Sequence, residues 1–117
     1  MIRARALWLL TVIGVGFLPL AATALAADVE SGKGVYLSRC AFCHGESGKG
    51  DGPAGVALKP PPTNLAAADF WQHTTPDAIK SVVENGKPGT TMLAFKGSLS
   101  TEQIDDLVAY VATFKPH

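Results

Sequence analysis

The last part of the chain carries apolar side chains at the spacing of an α-helix: Ile104, Leu107, Val108, Val111 and Phe114. Ser100 and Gln103 stand just before them at the spacing of a capping box. Asp105 and Asp106 fall in the first turn, where the helix dipole favours acidic side chains. The pattern therefore predicts a helix that begins at Ser100 and ends before Pro116.

Two further helices are predicted upstream. One begins at Thr75, which fits an N-cap, with Pro76 at the first helical position and Gly86 as a stop signal. Its apolar face consists of Ile79, Val82 and Val83. The other runs from about Val29 to His44 and includes Gly32, Val35, Tyr36 and Leu37.

The segment from Gly45 to Leu65 is rich in glycine and proline and predicts an ordered loop. No alternating strand pattern of useful length is found, so the fold class is all-α, with about three main helices. The three Gly-Lys pairs lack the first glycine of a phosphate-binding loop, which excludes a nucleotide site of that kind.

The N-terminus has the pattern of an export signal. Arg3 and Arg5 precede an apolar stretch from Ala6 to Leu18, and Ala24-Leu25-Ala26 supplies a small-x-small cleavage pattern. The alternative is a retained membrane anchor, but the apolar part is shorter than the ~20 residues that span a bilayer. We therefore expect a signal peptide over residues 1–26, cleavage after Ala26 and no membrane anchor afterwards.

Composition limits what the remaining domain, residues 27–117, can be. The chain of 117 residues has ten basic and ten acidic side chains, and this balance argues against a nucleic-acid-binding protein. An apolar content of 47% argues against disorder. Without residues 1–26 there remain eight basic and ten acidic side chains, in a domain small enough to bury only a modest fraction of its surface.

The two cysteines of the chain lie in the sequence Cys40-Ala41-Phe42-Cys43-His44, which is the attachment pattern of a c-type haem. Thiols three residues apart can each bond to one vinyl group along a porphyrin edge, and the following histidine can supply the proximal nitrogen. A disulfide is a rival interpretation for an exported chain. A zinc site lacks a second cysteine pair, and a thioredoxin-like redox pair lacks a βαβ surrounding.

Met92 is the candidate sixth ligand, because it is the only methionine left once Met1 is removed. Turn formers precede it, so we expect it on a loop that returns to the opposite haem face. His73 and His117 are the competing ligands, the first before a predicted helix and the second at the chain end.

These features together resemble a class I c-type cytochrome, and the resemblance covers essentially all of residues 27–117. It implies that the first and last helices cross, with Gly32 and Tyr36 against Leu107 and Tyr110. It also implies that a proline carbonyl of the segment Pro61-Pro62-Thr63-Asn64-Leu65 accepts a hydrogen bond from His44. Trp71 is expected either to bond a haem propionate or to pack in the core. Leu93 departs from the family, which often has proline after the distal methionine.

The resemblance implies one covalently bound haem c, held by Cys40 and Cys43, with His44 and Met92 on the iron. A haem with both axial positions filled leaves no position for substrate, so the expected function is electron transfer between redox protein partners in the periplasm, and not catalysis. Two alternatives stay open: a haem-bearing subunit of a larger respiratory oxidoreductase, and a sensor or peroxidase-like enzyme with an open iron site. The net charge and the propionates favour partners with a basic or mixed docking surface.

Overall fold

A computed structural model describes residues 10–19 and 26–117. Within these residues the secondary structure is helical, with five α-helices and no strand: α1 (Val29–Arg39), α2 (Ala41–His44), α3 (Ala68–Gln72), α4 (Pro76–Asn85) and α5 (Thr101–Val111). Short 3₁₀ turns occur at Gly55–Ala57 and Ala112–Phe114. The predicted all-α class is confirmed.

The packing of α1 against α5 organises the core. Tyr36 of α1 is fully buried and Leu107 of α5 is 1% exposed. The ring centroids of Tyr36 and Tyr110 lie 5.3 Å apart at an interplanar angle of 54°, within the separation at which aromatic pairs interact. Gly32 sits directly against the backbone carbonyl of Asp106, where no Cβ would fit. The expected crossing of the first and last helices is therefore found.

The starts of α4 and α5 agree with the sequence signals. The Thr75 hydroxyl accepts the N–H of Ala78 at 3.1 Å. The Ser100 hydroxyl accepts the N–H of Gln103 at 3.1 Å, and the Gln103 side chain accepts the N–H of Ser100 at 2.9 Å. Both helices thus satisfy backbone donors that would otherwise lack partners in the first turn.

The first predicted helix is interrupted, and this corrects the expected continuous helix to His44. Cys40 has φ −118°, ψ −37° and forms the boundary between α1 and α2. Its N–H still donates to the carbonyl of Tyr36 at 2.8 Å, and its carbonyl accepts the N–H of His44 at 2.9 Å. The two helices therefore meet at the first cysteine, whose N–H and carbonyl both keep helical hydrogen-bond partners.

Most of the predicted signal peptide lies outside the described residues, namely 1–9 and 20–25. Residues 10–19 have no regular secondary structure. In the described part of the chain, no helix has both the length and the apolar character needed to cross a bilayer.

Candidate haem-binding site

Cys40 and Cys43 are brought together by a single helical turn. The carbonyl of Cys40 accepts the N–H groups of both Cys43, at 3.2 Å, and His44, at 2.9 Å. Residues three apart in a helical turn lie on the same side. Both thiols are free and half-buried, so the disulfide alternative is not found in this structure.

The environment of Cys40 favours the neutral thiol over the thiolate. Burial raises its pKa to about 11, and the neighbouring Cys43 adds to the rise. Reactive Cys-x-x-Cys pairs depend on the opposite effect, a lowered thiol pKa. This observation argues against a thioredoxin-like role for the pair.

The His44 ring has a defined tautomer. Its Nδ1 lies 3.1 Å from the carbonyl oxygen of Thr63, and because a carbonyl can only accept, Nδ1 must carry the proton. Burial lowers the pKa of His44, as does the charge of Lys87, while the bond to Thr63 raises it. The neutral ring therefore directs the lone pair of Nε2 away from Thr63, in the form that a metal ion binds.

The acceptor of this hydrogen bond corrects the sequence expectation. A proline carbonyl of the Pro61–Pro62 region was predicted, whereas the observed acceptor belongs to Thr63, the next residue. The role assigned to the segment, orienting the ligand ring, is retained.

The glycine-rich loop packs closely on α2 and positions that acceptor. The N–H of Gly50 donates to the His44 carbonyl at 2.7 Å, and the N–H of Leu65 donates to the Gly48 carbonyl at 2.6 Å. Gly50 has φ +82°, and a Cβ there would lie 2.7 Å from the Pro62 carbonyl oxygen. Only glycine allows this approach, so the predicted ordered loop has a structural role beside His44.

Met92 lies on the loop between α4 and α5, as predicted, and is half-buried against the core. Its N–H donates to the Thr90 hydroxyl at 3.2 Å, and its carbonyl accepts the N–H of Lys87 at 3.2 Å. These two bonds fix the backbone of the methionine. The next side chain, Leu93, is 73% exposed.

The competing ligand candidates are on the surface. The His73 side chain is 75% exposed, and its Nδ1 bonds to the carbonyl of Asp69 at 2.9 Å. His117 is exposed at the chain end. Of the two roles weighed for Trp71, core packing is found, because its indole N–H donates to the Leu65 carbonyl at 2.7 Å.

The donor set fits a c-type haem. Two free thiols on one helical turn, a neutral imidazole with an available Nε2 and a thioether on a fixed loop are the groups that such a cofactor uses. In the described part of the chain, no group of three or more histidine, cysteine or acidic side chains is arranged to hold a metal ion by itself.

Comparison with known proteins places the chain in one family. The family model described as "Cytochrome C oxidase, cbb3-type, subunit III" matches residues 27–111. Cytochrome c6 of Thermostichus vulcanus is 36% identical over 95 residues, which cover 81% of this chain and 78% of the relative. The cbb3-type cytochrome c oxidase subunit CcoP of Azospirillum brasilense is 33% identical over 86 residues, which cover 74% of this chain and 28% of the relative.

Solved structures agree. A chain of the reducing HAO-like protein complex of Kuenenia stuttgartiensis aligns with a TM-score of 0.65 at 28% identity, over 78% of this chain and 44% of that one. Cytochrome c6 of the diatom Phaeodactylum tricornutum aligns with a TM-score of 0.57 at 31% identity, over 74% and 93%. The chain therefore belongs to the small class I c-type cytochromes, electron-transfer proteins with one covalently bound haem c.

Proposed function

We propose that this cytochrome is a freely diffusing carrier of single electrons in the periplasm, with Cys40 and Cys43 as the thioether residues and His44 and Met92 as the axial ligands. The observation that carries the assignment of His44 as a ligand is its hydrogen bond to Thr63, which leaves the Nε2 lone pair available to the iron. The bound haem supplies a one-electron redox couple, and methionine ligation raises its reduction potential relative to other ligand sets.

The polypeptide has two tasks in this function. Thr63 holds the orientation of the His44 ring, and a histidine ligand needs such a partner on its other nitrogen. Thr90 and Lys87 hold the backbone of Met92. With both axial positions filled there is no position for a substrate, so the protein is a carrier and not an enzyme.

The export signal belongs to the same proposal. Large apolar side chains between residues 10 and 18 are 82–97% exposed: Leu10, Val12, Ile13, Val15, Phe17 and Leu18. An exposed apolar patch of this kind is unusual in a soluble protein, and its removal with a leader accounts for it. We place cleavage after Ala26. The mass of the exported holoprotein tests this, since any N-terminus other than Ala27 would overturn it.

The partners are redox proteins with a mixed docking surface, which offers acidic groups to the basic side chains near the site and an apolar patch beside them. Arg39 precedes the first cysteine and is exposed, and Lys87 is close enough to His44 to lower its pKa. The exposed Leu93 follows Met92 directly. Of the two docking surfaces expected from net charge, the mixed one is favoured, because Arg39 and Lys87 place positive charge near the site although residues 27–117 have more acidic than basic side chains. Such charges steer association more than they set affinity.

The decisive experiment is the absorption spectrum of the exported protein in both oxidation states, for the wild type and Met92→Ala. We expect a c-type spectrum whose weak long-wavelength ferric iron–methionine band is lost in the variant. The matched control is Leu93→Ala, which truncates the exposed neighbour and should keep the band. A band unchanged by Met92→Ala would overturn the ligand assignment, and His73→Ala would then test the competing histidine.

A second candidate function is a permanent haem subunit of a larger oxidoreductase. It is favoured by the similarity to CcoP and to a chain of the HAO-like complex, although this chain spans only part of either. Gel filtration of the native holoprotein separates the two functions. A carrier elutes at the mass of the monomer, whereas a subunit co-elutes with a complex. Rapid carbon monoxide binding by the ferrous wild type would contradict both and favour an open-site sensor or enzyme.

A further inference from the structure

Asp106 occupies an unusual position for a carboxylate. It lies within α5, is 8% exposed, and is the one buried polar or charged side chain among the described residues. Its Oδ1 accepts the backbone N–H of Asp28, 78 positions earlier, at 2.7 Å. A buried carboxylate therefore holds the chain just before α1 begins. The backbone carbonyl of Asp106 faces Gly32, so this hydrogen bond lies next to the point where α1 crosses α5.

The surroundings of this bond are strongly acidic. Asp106 opens on a surface groove of about 800 Å³ that is bounded by residues 26–28, α4 and α5. The charged groups facing the groove are Asp28, Asp77, Lys80, Glu102, Asp105 and Asp106. The one ammonium, on Lys80, already bonds to Asp105 at 2.6 Å. Only Oδ1 of Asp106 has a hydrogen-bond partner, and no polar side-chain atom among the described residues is both buried and without one. The second oxygen, Oδ2, is therefore open to the groove and can accept from a cation there.

The segment beside this carboxylate contains the cleavage position of the proposed export signal, on which the inference rests. Ala26 and Ala27 both line the groove. Consecutive Cα atoms are 3.8 Å apart, so the nitrogen of Ala27 lies one peptide unit from the amide that Asp106 holds. In the uncleaved chain that nitrogen is a neutral amide. After cleavage it becomes an α-ammonium.

We propose that removal of the leader creates an ion pair between the new α-ammonium of Ala27 and the buried carboxylate of Asp106, and that this pair fixes α1 against α5. Asp106 is thus a receptor for the processed N-terminus of its own chain. The positive end of the α1 dipole disfavours an ammonium, and the Asp28 carboxylate beside it offsets that effect. Cleavage of the leader then stabilises the mature fold, in addition to freeing the mature chain from the leader.

The test uses the holoprotein beginning at Ala27, with and without chemical acetylation of the α-amino group, in the wild type and in Asp106→Asn. We expect the α-amino pKa, followed by NMR, to lie above its ordinary range of about 7.7–8.0 in the wild type and to return toward it in Asp106→Asn. Acetylation should lower the wild-type folding equilibrium constant by about fivefold or more below pH 7, and should have little effect in Asp106→Asn. The control is Glu102→Gln, an exposed carboxylate that faces the same groove from α5 and should leave the α-amino pKa raised.

Two results would overturn the pair. One is a wild-type α-amino pKa within the ordinary range, which is measurable even if Asp106→Asn does not fold. The other is an equal cost of acetylation in both backgrounds. A failure of the cleavage assignment is distinguishable, because it is read from the mass of the exported protein and not from the titration.

Discussion

Gly32 of α1 faces the backbone carbonyl of Asp106 in α5 at a distance that excludes any side chain. A Cβ at this position would also lie 3.0 Å from the Cβ of Tyr110. Gly32→Ala must therefore separate the two helices around which the core is built. Forced insertion of a methyl group into a packed interior costs about 1–3 kcal/mol. We expect a loss of this size in the free energy of unfolding of the holoprotein, measured with denaturant.

The same helix offers a matched control for that prediction. Gly34 is exposed, and a Cβ there meets nothing within 4 Å. Since alanine is the better helix former by about 1 kcal/mol, Gly34→Ala should stabilise the protein. The two glycine replacements are thus expected to change the free energy of unfolding in opposite directions. A similar stability change in both variants would contradict the close crossing.

Local signals in the sequence predicted part of this structure well. Thr75 with Pro76, and Ser100 with Gln103, encode helix starts within four residues, and both starts are found. The short α3 was not predicted because Ala67 offers no capping side chain. Its single buried residue, Trp71, is held by a bond to Leu65, which tertiary packing brings within reach.

The candidate site was likewise predicted only in part. The Cys-x-x-Cys-His motif identified three candidate residues, and Met92 was the fourth as the methionine that remains once Met1 is removed. The structure places Met92 on the expected loop. The carbonyl that accepts from His44 was assigned to a proline and belongs to Thr63. Which carbonyl faces the ring depends on the path of the whole loop, including the approach of Gly50 to Pro62, and no local pattern records that path.

Gly50 offers a way to disturb the histidine without changing a ligand. In Gly50→Ala the new methyl group would meet the Pro62 carbonyl at 2.7 Å and displace the adjoining Thr63. The His44 Nδ1–H bond should then lengthen, which lowers the ligand's basicity and shifts the reduction potential. The measurements are the NMR resonance of this ring proton and potentiometric titration of the holoprotein.

The control for this variant is Gly89→Ala. Gly89 has nearly the same positive φ, +76°, but a Cβ there meets nothing within 4 Å. It therefore introduces the same kind of backbone strain away from Thr63. The NMR resonance of the His44 ring proton should shift in Gly50→Ala and stay unchanged in Gly89→Ala. An equal shift in both variants would show that backbone strain alone, and not displacement of Thr63, is responsible.

Trp71 is expected to stabilise the fold without tuning the haem. Trp71→Phe removes the indole N–H and leaves the Leu65 carbonyl without its donor, at a cost of about 1–3 kcal/mol in the free energy of unfolding. The pH dependence of the reduction potential should not change. Phe70→Leu is the control, because Phe70 packs edge-on against Trp71 at 5.4 Å but leaves the hydrogen bond intact. A changed pH dependence with unchanged stability would favour the propionate role instead.

Ionisation of Tyr36 should lower the stability of the folded protein at alkaline pH. Its buried hydroxyl donates to the Gly45 carbonyl at 2.6 Å, and burial raises its pKa above the ordinary 10.0. Because the folded pKa is the higher one, this contribution to stability is complete below pH 10. It is lost as the pH rises further, since the unfolded chain then releases the proton first.

Tyr36→Phe isolates this effect. At pH 7 the variant should be less stable by about 1–3 kcal/mol, because the Gly45 carbonyl loses its donor. Above pH 10 the gap between wild type and variant should shrink by about 1.4 kcal/mol per pH unit. Denaturant unfolding followed by far-ultraviolet circular dichroism between pH 7 and 11 measures the gap. Tyr110→Phe is the control, because the Tyr110 ring packs against Tyr36 at 5.3 Å, and an equal shrinkage there would contradict a role specific to Tyr36.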